Sequence, residues 1–163
     1  MTSASAGDEP ATAGRTHGAP VTAAGGTPGG YPTARELARR SQAAVQAKDR
    51  DAWLDLFAPD AVVQDPIGPS PLDPGGTGHR GRAAIAAFYD TVIAPSERIS
   101  FEIEHSYLCG DEAATVGVIR TILAGGTHTA VVRGVYTYRT DGAGKLAALR
   151  AFWEFGAVEL IAT

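Results

Sequence analysis

Between Ile99 and Phe155 the chain changes its hydrophobic period, and no other feature limits its possible folds so strongly. Apolar residues recur there at alternate positions in four runs: Ile99 to Tyr107, Ala113 to Leu123, Thr127 to Arg139 and Leu146 to Phe155. Such alternation marks strands with one covered face. The runs are separated by Cys109-Gly110-Asp111-Glu112, Ala124-Gly125-Gly126 and Asp141-Gly142-Ala143-Gly144, and these glycines suit the positive φ of tight hairpins. Strands joined by so few residues pair antiparallel. Upstream the period is helical. Thr33 and Glu36 have the spacing of a capping box, opening a helix whose Leu37, Ser41, Ala44 and Val45 share one inner stripe. Asp49-Arg50-Asp51 starts a short second helix, expected to bury Trp53, Leu54 and Phe57 and to stop at Pro59. Ile85, Phe88, Tyr89 and Val92 fall at i, i+3, i+4 and i+7 in a third, which ends near Ala94-Pro95. Helices followed by an antiparallel meander predict an α+β fold.

Residues 1–31 are rich in Ala, Gly, Thr and Pro and nearly free of large apolar side chains, so they read as a disordered tail. Residues 32–163 then form one domain. With 18 acidic against 14 basic residues the net charge is −4, and no Lys/Arg run appears, which argues against a nucleic-acid partner. The apolar runs are too short to span a bilayer. No metal-type Cys/His spacing is present. Gly75-Gly76-Thr77-Gly78 lacks the strand, Lys and helix of a phosphate loop, so no cofactor is implied. Cys109 is the single cysteine and no apolar leader opens the chain, which together predict a cytoplasmic protein. Pro66 to Arg82, with four prolines and five glycines, is too long for a plain connector and reads as a lid.

Asp65 is the main chemical candidate. It ends the apolar run Ala61-Val62-Val63-Gln64, and strand alternation puts it on the face of Ala61 and Val63. If that face is the core, a carboxylate there must be paired, hydrogen-bonded or used as a base with a raised pKa. The other reading is a turn cap before Pro66, since Asx-Pro commonly initiates turns.

Three segments together resemble the ketosteroid isomerase-like branch of the nuclear transport factor 2-like, or SnoaL-like, superfamily. They are Leu56-Phe57-Ala58-Pro59-Asp60-Ala61-Val62-Val63-Gln64-Asp65-Pro66-Ile67-Gly68, Gly81-Arg82-Ala83-Ala84-Ile85-Ala86-Ala87-Phe88-Tyr89, and Asp141 to Leu146 leading to Arg150-Ala151-Phe152-Trp153. The likeness spans about residues 33 to 160, and Val132 to Arg139 is similar to the actinobacterial and mycobacterial isomerase-like subgroup. It implies a cone of curved antiparallel β-sheet wrapped around the N-terminal helices, enclosing an apolar pocket, in a homodimer. It also implies that Asp65 is the general base of a proton-transfer enzyme acting on a steroid-like or polycyclic ketone. The family's oxyanion tyrosine falls on Ser41 and its oxyanion aspartic acid on Tyr136, so the usual donors are replaced; Tyr136 and Ser41 are the candidates left to serve. Trp153, Leu149 and Ala151, on one strand face, are expected to line the substrate pocket with Tyr138 and Phe88.

Of the remaining residues, Trp53 reads as core and His79 as a solvated loop histidine rather than a ligand contact. His105 alternates with Ile99, Phe101 and Ile103 and is expected to face inward, as a core or interface histidine. Glu102 and Glu104 project to the other face. Two alternatives stay open: epoxide opening or cyclisation on a polyketide, which needs Glu102, Glu104 or Glu154 to share the pocket with Asp65, and apolar-ligand binding without turnover. Phe152, on the outer sheet face, is the expected site of pairing between copies.

Overall fold

The computed structural model describes residues 30–163. The expected tail therefore lies outside the described residues, apart from Gly30 and Tyr31. Helix α1 (Ala34–Gln46) begins at the anticipated box: the Thr33 hydroxyl accepts from the Glu36 N–H, and the Glu36 carboxylate accepts from the Thr33 N–H at 2.7 Å. Its buried stripe includes Leu37, Ser41 and Val45. Helix α2 (Arg50–Leu54) is capped by Asp49 and buries Trp53 and Leu54.

Strand β1 (Phe57–Gln64) corrects the expected end of α2. Phe57 is not a helical residue but opens the strand, and Pro59 lies inside it. The ladder between β1 and β6 (Leu146–Phe152) skips from Phe57↔Leu146 to Val62↔Ala148, so Pro59 occupies an irregular stretch where a missing N–H costs no ladder bond. That pairing is parallel, so the sheet is mixed and not wholly antiparallel. Ala61 and Val63 are fully buried, which puts Asp65 on the inner face. The Asp65–Pro66 bond is cis.

The loop from Pro66 is folded. The Asp73 carboxylate accepts from the N–H groups of Gly76 and Gly78, and the chain then forms a two-residue strand β2 (His79–Arg80) against β1. Helix α3 (Gly81–Phe88) runs into a π-helical turn, Tyr89–Ile93, closed by Ala94 N–H donating to the Tyr89 carbonyl at 2.8 Å. The widened turn changes the phase of the apolar stripe, so Ile93 is buried while Val92 is only half-buried.

Strands β3 (Arg98–Cys109), β4 (Glu112–Ile122) and β5 (His128–Thr140) form the expected meander with β6, and β7 (Glu159–Ala162), which the alternation reading missed, pairs with β5. The order is β2-β1-β6-β5-β4-β3. A bulge between Ile103 and His105 interrupts the β3–β4 ladder, where Gly117 passes so close that a Cβ would lie 2.3 Å from the Glu102 carbonyl oxygen. Beyond it the inward expectation fails: His105 is exposed, and Ile103 is 40% exposed. Among the described residues no helix is long and apolar enough to cross a membrane. The curved sheet closes over α1 and α3, and their facing side chains build the core: Leu37, Trp53, Phe57, Ile85 and Phe88.

Candidate active site

A cavity of about 480 Å³ opens between the helices and the concave sheet. Its walls are mainly aliphatic and aromatic: Val45 from α1, Phe88 and Ile93 from the third helix and its π turn, Phe101 and Ile119 from β3 and β4, and Val132 and Leu149 from β5 and β6. Leu72 enters from the long loop, while Phe155, Val158 and Leu160 close in from the C-terminal segment. Polar groups are few. Asp65, Ser41, Thr121, Tyr136, Tyr138 and Trp153 supply them.

Asp65 follows β1 directly, and the Trp153 indole Nε1–H donates to its Oδ1 at 2.5 Å. Burial raises the Asp65 carboxyl above the usual carboxylate range, while the Trp153 hydrogen bond and the electrostatic influence of His79 oppose the rise. Asp65 retains some accessible surface, and it faces the cavity. A turn-capping role accounts for neither the indole contact nor the inward direction.

Tyr136 and Tyr138 project from alternate positions of β5 into the same space. Burial, assisted by the nearby Asp65 charge, pushes Tyr136 well above the ordinary phenol value. Burial pushes Tyr138 up to about 12, with Gln42 and Ser41 pulling the other way. Both stay protonated at neutral pH and so remain potential donors. The Tyr136 hydroxyl donates to the Val132 carbonyl at 3.2 Å. Ser41 is 2% exposed, and its Oγ accepts from the Trp53 indole at 2.9 Å, while its O–H is the group that bears on Tyr138. Trp53 is thus core and cavity wall at once.

Phe88, Leu149, Tyr138 and Trp153 line the cavity, whereas Ala151 does not. It is fully buried in packing, and its carbonyl accepts from the Ile67 N–H at 3.0 Å. His79 is also corrected. It is a strand residue opposite Val63, its ring lies 4.8 Å from that of Phe88, and its Nε2 is buried without a partner. A two-residue strand inside a Gly- and Pro-rich loop leaves no alternation to read. The C-terminal wall did leave a signal, because Val158 and Leu160 alternate with Glu159.

Asp65 is the one carboxylate lining the cavity among the described residues. Glu102 pairs with Arg120 at 2.6 Å on the outer side, and Glu104 and Glu154 are exposed. Paired-carboxylate chemistry therefore has no second acid here. The profile of the SnoaL-like domain family matches residues 38–154.

The chain belongs to the SnoaL-like family.

Within it, the chain is 31% identical over 113 residues to a steroid delta-isomerase of Nocardioides simplex, covering 69% of this chain and 83% of that one. A Delta 5-3-ketosteroid isomerase from Mycobacterium sp. is 42% identical, with a TM-score of 0.74 over 78% of this chain and 98% of that structure. The Mycobacterium tuberculosis protein RV0760c, in complex with estradiol-17beta-hemisuccinate, is 38% identical with a TM-score of 0.72, over 77% and 97%. The SnoaL-like cone and its isomerase resemblance thus agree with the expectation from the three segments at 56–68, 81–89 and 141–153.

Proposed function

We propose that this SnoaL-like protein is a proton-transfer isomerase for a flat, apolar ketone of the steroid type. The observation that carries this reading is the pairing of Asp65 with the Trp153 indole at one polar end of an otherwise apolar cavity. Asp65 removes a proton from the carbon between the ketone and an isolated double bond, the electrons move onto the ketone oxygen, and the same proton returns to the far end of the dienolate. The double bond moves into conjugation, and Asp65 is regenerated ionised.

The developing oxyanion needs hydrogen-bond donors. Tyr136 can supply one by turning its hydroxyl from the Val132 carbonyl to the ligand, and Ser41 a weaker one by turning its O–H from Tyr138. Tyr138 stands beside them. The names of the relatives, steroid delta-isomerase and ketosteroid isomerase, support the substrate class, as does the steroid ester bound by the Mycobacterium tuberculosis protein. Pairing of two copies through the outer sheet face belongs to the same reading, supported by Phe152, which is 47% exposed with Arg150 over its ring.

Incubation with a β,γ-unsaturated 3-ketosteroid, followed by the absorbance of the conjugated enone, tests the activity. Turnover that survives Asp65→Asn contradicts the assignment of the base. Tight binding of the steroid without turnover in the unaltered protein assigns a ligand-binding role instead.

A further inference from the structure

His79 is poorly explained by packing alone. Its strand β2 is only two residues long, yet the pairing Val63↔His79 is specific, and cross-strand partners project to one face of a sheet. Val63 is fully buried on the inner face, so His79 points inward with it. Asp65, immediately past the end of β1, is the next inward residue after Val63 and so diagonal to His79, a spacing that long or aromatic side chains can bridge. The ring is steadied against Phe88, itself a cavity wall. Gly78 fixes the approach from the other side: its φ is +81°, and a Cβ there would lie 2.7 Å from both Gln64 Cγ and Val62 Cγ2. One ring nitrogen, Nε2, is nevertheless buried and unpaired, which a purely structural histidine would not favour.

We propose that His79 is a positioning residue for Asp65, its imidazole holding the carboxylate ionised and oriented for proton transfer from the side opposite Trp153. This rests on the reading of Asp65 as the base. The surroundings of Asp65 leave His79 this role. Trp153, just past the end of β6, is neutral, and Tyr136 and Tyr138 on β5 remain protonated. On α3, Arg82 is directed to Asp55, and Arg150 on β6 is bonded to Gln64. His79 alone among the described residues supplies an ionisable nitrogen that acts on Asp65, and it favours the charged carboxylate. His79 in turn has Phe88 from α3 against its ring and Val63 as its cross-strand neighbour.

The test follows the Asp65 carboxyl itself, by carbon-13 NMR titration of aspartate-labelled protein, in the unaltered chain, His79→Phe and His79→Gln, alongside the pH dependence of kcat/KM on the β,γ-unsaturated ketosteroid. The expected result is a higher Asp65 midpoint in His79→Phe. With it comes a loss in kcat/KM of about threefold or more on the acid limb, equivalent to half a pH unit, while the alkaline plateau is retained. An unchanged midpoint in a folded variant overturns the proposal, and His79→Gln, which keeps a polar side chain, decides the matter if His79→Phe does not fold. A shifted midpoint in a protein without isomerase turnover sustains the His79–Asp65 coupling and overturns the isomerase reading. An unchanged midpoint with normal turnover does the reverse.

Discussion

Asp65 is held between opposing influences. Burial disfavours its charge, while Trp153 and His79 favour it, and burial is the largest of the three. A carboxyl whose folded value lies above its unfolded one binds protons more tightly in the fold. Stability is then untouched at acid pH, falls as pH rises from the ordinary carboxylate range to the raised folded value, and stays reduced above it. Asp65→Asn should therefore melt higher than the unaltered protein at neutral pH, with the difference vanishing in acid, while turnover falls by about 100- to 10,000-fold. Calorimetry at two pH values and the enone assay check both halves. Trp153→Phe removes the stronger of the two opposing influences, so the acid limb of kcat should move to higher pH; an unmoved limb would mean that the indole only packs. Sequence made Asp65 legible because strand alternation and the following proline bear directly on it. His79 was not legible, since its inward direction depends on a register that two residues cannot announce.

At the scale of elements, the departures from simple periodicity are local and have physical causes. Pro59 sits where the β1–β6 ladder is already broken, and the π turn after α3 brings Ile93 into the core. Lys48, in the turn between α1 and α2 with φ of 58°, helps hold that helix end: its Nζ donates to the Ile93 carbonyl at 2.9 Å, the Ala94 carbonyl at 3.2 Å and the Ser96 hydroxyl at 2.7 Å. Lys48→Met leaves these acceptors without their charged donor and should destabilise the fold by about 1.5–3 kcal/mol, read from urea unfolding. Ile93 lines the cavity, so ligand affinity should weaken in the same variant. At the β3–β4 bulge, Gly117→Ala forces a Cβ against the Glu102 backbone and should cost about 1–3 kcal/mol, as overpacking commonly does.

Over the whole molecule, the parallel β1–β6 contact brings the Asp65 end of the first strand beside Trp153, 88 residues along the chain. Neither residue makes a site without the other. Exposed Phe152 on the outer face leads to a further expectation: light scattering should report a dimer, and Phe152→Glu should shift it toward monomer by burying an unpaired charge at the contact. Local signals in the chain were enough for the helices, the meander and the shared strand face of Ala61, Val63 and Asp65, because caps, hydrophobic period and turn glycines act over a few residues. Packing of the whole fold was needed to turn His79 inward against Phe88, to make Ala151 packing rather than wall, to turn His105 outward, and to leave Asp65 as the one carboxylate at the cavity among the described residues. Those outcomes depend on register shifts, a bulge and the closure of distant strands, which are set by the packing of the complete sheet against its helices.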